Sequence, residues 1–447
     1  MTGFSKGGGS GIDGAQTCNV ALIGFGTVGS SVARILCERP NIHLRLTHVL
    51  NRNVARKKVD WLSPSVKWTE NIDDVLSSEA DIVVEVIGGM QPTEDWIRRA
   101  LTSGKSVVTA NKQLIAHCGP ELIGLACQMK QQIQFGASVA GGVPVISGLQ
   151  DGLAGDELYE IRGILNGTCN YILSQIEANG VPFATALREA QKLGFAEADP
   201  TEDIEGFDAR AKLAILARVG LHCNVKAGSI AARSIGPIDA VDFEYANQLG
   251  CTIRQISWAQ LKTGSKTTPE NTSEKTPKGE KLFAAVQPAL VDLSSPLARV
   301  EGSQNLVMAA GTYGGETVFG GHGAGGNPTA VAVVSDILAI ARSKRPGTNY
   351  SAPQGERTPT VSSDFVTKHY LRFLVKDRPG IIASLATILS ECGINIDAVV
   401  QKPDCPKSHL PFLITLEECK ASLVERALER ISSLDFLVQP CLHLPML

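Results

Sequence analysis

The segment Val20-Ala-Leu-Ile-Gly24-Phe25-Gly26-Thr27-Val28-Gly29 constrains this chain more than any other. Its G-x-G-x-x-G spacing falls where an apolar run ends and a helix-like stretch, Ser30 to Glu38, begins. Glycines at 24 and 26 permit a tight turn and close backbone approach to a pyrophosphate, and Gly29 lets helix pack closely against strand. The helix N-terminus then presents unpaired N–H groups to the anion. Together these features read as a dinucleotide-binding βαβ unit, with Phe25, Thr27 and Val28 in the cofactor turn.

The same rhythm continues to about Val145. Short apolar runs (LRLTHVL, ADIVVEVIG, KSVVTAN, IQFGASV) alternate with helix-like segments. Continuous apolar strands of this kind are expected in a parallel sheet covered on both faces. An acidic residue about twenty positions on would bind the adenosine ribose. Here the second strand ends instead in Asn51-Arg52-Asn53, followed by Arg56, Lys57 and Lys58. Arg52 is placed to accommodate a 2′-phosphate, which favours NADP while leaving NAD open. The two lysines read equally well as a solvated turn.

A length of 447 residues exceeds what one core supports, and three units are expected. The fold class is α/β. A Rossmann-type doubly wound parallel sheet spans 18–145 and is completed by about 321–342. A region mixing helical and strand-like stretches follows at 146–320, an α+β unit that the family resemblance given below makes the substrate and dimerisation domain, and a small βαββαβ domain closes the chain at 365–447. Residues 1–17 read as a flexible tail, the polar run Lys262–Glu280 as a surface loop, and 343–364 as a linker.

Composition excludes several classes. The 42 basic and 45 acidic residues leave a formal charge of −3, too small a field to attract nucleic acid or an anionic membrane. No run of ~18 apolar residues is present to span a bilayer, and the N-terminus lacks the apolar core of a signal peptide. The eleven cysteines form no C-x-x-C pair and sit mostly in apolar runs, as reduced thiols of a cytoplasmic protein do. Cys169 reads as a packing residue, and the adjacent His117 and Cys118 as the end of a helix or a turn rather than a catalytic dyad.

Carboxylates concentrate in Leu193-Gly194-Phe-Ala-Glu197-Ala-Asp199-Pro-Thr-Glu-Asp203-Ile-Glu-Gly-Phe-Asp208-Ala-Arg-Ala-Lys212. Asp208 and Lys212, four apart, share a helix face, and spacing alone would make them a surface ion pair worth ~0.3–0.5 kcal/mol. The apolar residues that follow, Leu213-Ala-Ile-Leu-Ala, indicate instead a buried helix whose lysine faces something other than bulk water. Asp199, before a proline, reads as structural.

This stretch resembles homoserine dehydrogenases. So do ALIGFGTVG, VVTANK ending at Lys112, ASVAGGVPVI (137–146), ILNGTCNYIL (164–173) and GHGAGGNPTAVAVVSDIL (321–338), in order over residues 18–342. Residues 368–447, with DRPGIIASLA and GINI, look like an ACT domain. The resemblance implies reversible hydride transfer between L-homoserine and L-aspartate 4-semialdehyde in threonine, methionine and isoleucine biosynthesis. It implies Lys212 as the acid/base and Lys112 as a second lysine between nicotinamide and substrate. Glu197, Asp203 and Asp208 are the implied substrate carboxylates, with Glu197 as ammonium partner. Gly88, Gly194, Glu197, Gly323 and Gly325 fall near the cofactor. It further implies a sodium ion on the backbone carbonyls of Val139, Gly141 and Val143, although Gly136 stands where the family often has a glutamate. Threonine is the implied effector at the ACT domain, and the assembly a homodimer or homotetramer. The alternatives are another Rossmann amino-acid dehydrogenase, such as one acting on aspartate, or a non-catalytic amino-acid sensor.

Overall fold

The structure is a computed structural model that describes residues 17–39, 43–262, 281–343, 357–402 and 405–447. Nearly all of the expected tail and surface loop, and most of the expected linker, lie outside these residues. Six parallel strands make the first sheet: β1 (Cys18–Ile23), β2 (Leu44–Leu50), β3 (Lys67–Thr69), β4 (Ile82–Glu85), β5 (Ser106–Thr109) and β6 (Ile133–Gln134). Their order is β3-β2-β1-β4-β5-β6. Val20–Ile23 and Ile82–Glu85 are fully buried, which accounts for the apolar runs Val20–Ile23 and Ile82–Val84. Only β3, three residues long, has no signature in the sequence.

Strand order reverses between β1 and β4, and in an open parallel sheet ligands bind in the crevice at that reversal. Helix Thr27–Glu38 leaves β1 there. Far along the chain, helix Gly326–Ser343 returns to the same layer. Its Ala330, Val333, Val334, Ile337 and Ile340 share one core with Val20, Leu22 and Val32.

Eleven strands form the second sheet: β7 (Leu158–Ile164), β8 (Ala231–Ala232), β9 (Cys251–Lys262), β10 (Lys281–Asp292), β11 (Gln304–Gly311), β12 (Gly315–His322), β13 (Thr360–Ser362), β14 (Val366–Val375), β15 (Ile396–Gln401), β16 (Leu410–Lys420) and β17 (Leu442–Met446). The path runs β12-β11-β7-β9-β10-β17-β14-β16-β15, with β8 and β13 both on β10. The expected linker is therefore partly structured. Its Thr360–Ser362 pairs with Lys281–Phe283, and the following Phe365 stacks on Trp258 at 3.9 Å between ring centroids.

From β14 onward the chain follows the expected βαββαβ order, with helices Ile381–Glu391 and Ala421–Ile431. This last unit is joined to the body rather than tethered to it. Leu447 donates its N–H to the Leu290 carbonyl (2.8 Å), continuing the sheet from β17 to β10. Beside that seam Asp242, on helix Ala240–Gln248, accepts from Arg372 Nε (2.6 Å) and the Tyr370 hydroxyl (2.8 Å). No helix among the described residues is long and apolar enough to cross a membrane.

Candidate active site

Helix Phe207–Leu221 carries Asp208 in its first turn and Lys212 one turn later. Ala209 and Leu213 to Ala217 are fully buried, so the helix runs through the core and takes Asp208 with it, at 4% exposure. Lys212 Nζ donates to Asp208 Oδ2 (2.7 Å) and to the Leu165 carbonyl (2.8 Å). The ion pair that spacing alone would put on the surface is thus interior. From the opposite side Lys112 reaches Asp208 Oδ1. Lys112 is the first residue of helix Lys112–Gln128, which starts at the C-terminal end of β5 and is capped by Asn111. Two parts of the chain that are remote in sequence therefore converge on one carboxylate.

A fourth residue completes the cluster. Asn166 Nδ2 donates to both Asp203 Oδ1 (2.6 Å) and Asp208 Oδ2 (2.9 Å), while its Oδ1 caps helix Gly167–Asn179 through Cys169 N–H (2.8 Å). Burial would push the Asp208 carboxyl up, but the Lys212 and Lys112 ammonium groups outweigh it and hold Asp208 well below the usual carboxylate range. Burial works against the Lys112 ammonium, yet Asp208, with Asp203 and Glu202, raises it above the ordinary lysine value. Asp203 moves the other way: burial and the nearby Asp208 charge push it up against the Asn166 bond.

At the strand-order reversal the first βα turn has the geometry a pyrophosphate needs. Gly24 has φ +104° and would meet the Ile87 side chain at 2.6 Å with any Cβ, while a Cβ on Gly29 would fall 2.1 Å from the Gly24 carbonyl. Around Gly26, by contrast, the space is open to 4 Å, and no side chain caps the helix that follows. Its first N–H groups and the positive end of its dipole stay available to an anion, so the residues present fit a dinucleotide. Exposed Arg52 lies just past β2, whose Leu50 carbonyl accepts the Gly24 N–H (2.9 Å). Gly88 sits in the turn after β4, on the same rim.

Gly323 lies against the Asn305 amide, which donates to the Leu165 carbonyl (3.1 Å), so the GHGAGG turn approaches the Lys212 anchor. Gly325 precedes helix Gly326–Ser343. Gly194 and Glu197 occupy the exposed loop after helix Phe183–Lys192, and no ion pair among the described residues includes Glu197. Asp199 accepts from the Thr201 N–H (3.1 Å) and hydroxyl (2.6 Å), a local turn consistent with a structural part. Cys169 is fully buried, and burial drives its thiol far up, so it is no nucleophile. His117 and Cys118 lie within helix Lys112–Gln128, not at an end or turn as expected.

Val139, Gly141 and Val143 are buried beside the GHGAGG turn, the Gly142 N–H donating to the His322 carbonyl (3.1 Å). The Val143 carbonyl already accepts the Val145 N–H (2.8 Å), although an oxygen with two lone pairs can also face a cation. A Cβ at Gly136 would lie 2.8 Å from Asp336 Oδ1, so a side chain there requires the Asp336 carboxylate to move. Burial drives the Asp336 carboxyl up to about 7 despite the bond it accepts from Gly136 N–H (2.7 Å).

Three family models match in sequence: the homoserine dehydrogenase NAD-binding domain over residues 24–135, the homoserine dehydrogenase catalytic domain over 144–338, and the ACT domain over 369–436. This chain belongs to the homoserine dehydrogenase family. It is 37% identical to the homoserine dehydrogenase of Bacillus subtilis over 87% of this chain and 88% of that one. To that of Neisseria gonorrhoeae it is 34% identical over 94% and 97%. The crystal structure of the enzyme from Thiobacillus denitrificans superposes with a TM-score of 0.85 at 32% identity, covering 96% of this chain and 98% of the other. A hyperthermophilic archaeal homoserine dehydrogenase in complex with NADPH matches 74% of this chain and 99% of its own, with TM-score 0.59 and 27% identity. As a member of this family the chain is a nicotinamide-dependent oxidoreductase of amino-acid biosynthesis acting on a CH–OH group, with a C-terminal ACT domain.

Proposed function

We propose that the cluster centred on Asp208 carries the proton transfer of homoserine oxidation, with Lys212 as the acid/base. The observation behind this is that one buried carboxylate holds two ammonium groups. A bound nicotinamide supplies the hydride acceptor, or the donor in reverse. A primary alcohol surrenders hydride readily only as its proton departs, so a base must receive that proton. An ammonium has three donors. The Leu165 carbonyl and Asp208 Oδ2 take two at Lys212 Nζ, which leaves the third direction for the substrate oxygen. In oxidation the neutral amine of Lys212, one proton already lost to solvent, keeps those two bonds and receives the hydroxyl proton on its lone pair; in reduction its ammonium gives one to the aldehyde oxygen. Lys112, more exposed at the mouth of the cluster, orients that oxygen beside the nicotinamide. Glu197 and Asp203 bind the homoserine ammonium, and Asp208 fixes both lysines. Replacing Lys212 with alanine is expected to lower kcat for homoserine oxidation by ~10²–10⁴, measured at saturating cofactor; a variant with unchanged kcat would overturn the assignment.

Around this centre, Gly24 to Gly29, Gly88, Gly194, Gly323 and Gly325 line the dinucleotide, and Arg52 selects NADP over NAD. The absence of an acidic residue at the end of β2 supports that preference, and kcat/KM with each cofactor tests it. Val139, Gly141 and Val143 hold a sodium ion, tested by activity in sodium against a bulky organic cation. Threonine is the effector. Supporting a route for it, Arg372 of the ACT unit donates to the Pro237 carbonyl (3.1 Å). In the same loop Ile235 N–H donates to the Ile204 carbonyl (3.1 Å) and the Ser234 hydroxyl to Glu205 (2.8 Å), next to Asp203. Oxidation rates with and without threonine decide this. The edge position of β12, which pairs among the described residues with β11 alone, and exposed Tyr159, Tyr313 and Val318 support a homodimer or homotetramer, resolved by sedimentation. A cytoplasmic site of action is supported by the apolar settings of its cysteines, with Cys169, Cys223 and Cys392 buried.

A further inference from the structure

Glu85 closes β4 and is fully buried, yet it lies outside the lysine–aspartate cluster. Its Oε1 accepts from Ile87 N–H (2.8 Å) and Gly88 N–H (2.9 Å), and its Oε2 from the Thr109 hydroxyl. Thr109 stands opposite Glu85 in the register of β4 with β5 and ends that strand. The Thr109 oxygen in turn accepts from Asn111 N–H (3.0 Å). Asn111 closes the ring: its Nδ2 donates to the Gly89 carbonyl (2.6 Å), and its Oδ1 accepts from Leu114 N–H (3.1 Å) to cap the helix that begins at Lys112.

Two turns at the C-terminal rim of neighbouring parallel strands are thereby tied together through one carboxylate. The turn containing Gly88 and Gly89, at φ +75° and +74°, has little side-chain packing of its own, and Ile87 beside it is 43% exposed. Hydrogen bonds therefore set its position. A buried carboxylate costs free energy that an apolar residue at the end of β4 would not, and its three donors offset part of that cost. Burial pushes the Glu85 carboxyl up, and those same donors restrain it.

We infer that Glu85 is a positioning residue for hydride transfer, fixing the Ile87–Gly89 turn against the start of the helix that bears Lys112. This rests on the reading above in which Gly88 flanks the nicotinamide and Lys112 the substrate. Without Glu85 only the Asn111–Gly89 bond still joins the two turns directly, the Ile87 and Gly88 N–H groups lose their acceptor, and a misplacement of about 1 Å at reacting atoms can cost on the order of a hundredfold in rate.

The test uses the full-length enzyme with Glu85→Gln, which keeps size but replaces the acceptor facing Thr109 by a donor, and Thr109→Val, which removes a single link. Homoserine deuterated at its hydroxymethyl carbon reports whether hydride transfer limits turnover. Both variants are expected to lower kcat, by about tenfold for Glu85→Gln, to raise the deuterium isotope effect on kcat, and to keep KM for homoserine within about twofold. NADPH bound to either should show lower fluorescence anisotropy of its nicotinamide. A loss of rate that only tracks lost thermal stability, with isotope effect and anisotropy unchanged, would make Glu85 merely structural and overturn the inference. Should the wild-type chain fail to oxidise homoserine, the assignment of the active site fails instead. The anisotropy comparison then still decides on Glu85: unchanged values reject it and lowered values retain it.

Discussion

Asp208 at the proposed active site and Asp242 at the seam with the ACT domain are both buried beside cations, and their carboxyls move in opposite directions. Asp208 meets two ammonium groups and the Asn166 amide, and it falls well below the usual range. Asp242 meets one guanidinium, the Tyr370 hydroxyl and the Asp239 N–H, and burial still pushes it up. A single buried partner barely repays the loss of hydration, whereas a second shifts the balance. The proposed active-site cluster thus sets two amine groups against Asp208, so one amine can give up or take back a proton while the carboxylate keeps a partner. The seam is a closed pair, suited to holding two units in one orientation.

Removing each carboxylate should separate these roles most sharply. Asp208→Asn is expected to cost ~10²–10⁴ in kcat, whereas Asp242→Asn should leave saturated turnover within about threefold. Equal losses in steady-state assays would erase the distinction. At the seam the larger effect is on stability. Arg372→Ala strands Asp242 and should cost ~3–5 kcal/mol, with the double change Asp242→Leu and Arg372→Met recovering most of it. A denaturant midpoint for the double variant as low as for the single one would contradict this.

Asp336 extends the comparison to a buried carboxylate with no cation beside it among the described residues. Its folded value of about 7 lies above that of an unfolded aspartate, ~3.9. The cost of charging it therefore sets in as pH rises from ~4 to ~7 and is fully present above that. Asp336→Asn should raise stability by a few kcal/mol above neutral pH and change little below pH ~4, read from melting temperatures across pH. Asp208, depressed rather than raised, gives the opposite sign. Its contribution is present above the unfolded value and is lost as pH falls through the lower folded one. Acid unfolding of Asp208→Asn should therefore depend less on pH below ~4 than that of the wild type, the smallest of these effects.

Much of the proposed active site was legible because it falls in linear motifs. The glycine turn stands out in a short window, whereas the Asp208–Lys212 spacing alone reads as a surface pair and, with the TANK lysine, gains its role from the family resemblance. Glu85, Asn166 and Asn305 did not stand out. A lone acid at a strand end and an asparagine inside a motif look the same whether they face solvent or hold a turn. The Leu165 carbonyl, which anchors Lys212, has no signature at all, since every residue carries one.

By itself the sequence determined the local elements and their order: apolar runs of strand length, a helix opened by glycines, and a terminal βαββαβ unit. These depend on periodicity and backbone preference within a few residues. Only the tertiary structure decided that Lys112, Asn166, Asp208 and Lys212 meet, that Asp208 ionises more readily than a free aspartate while Asp242 does so less readily, and that the ACT sheet continues the body's. Those outcomes depend on which groups exclude water from one another across long separations in the chain, and the balance of hydration against pairing exists only once the chain has packed.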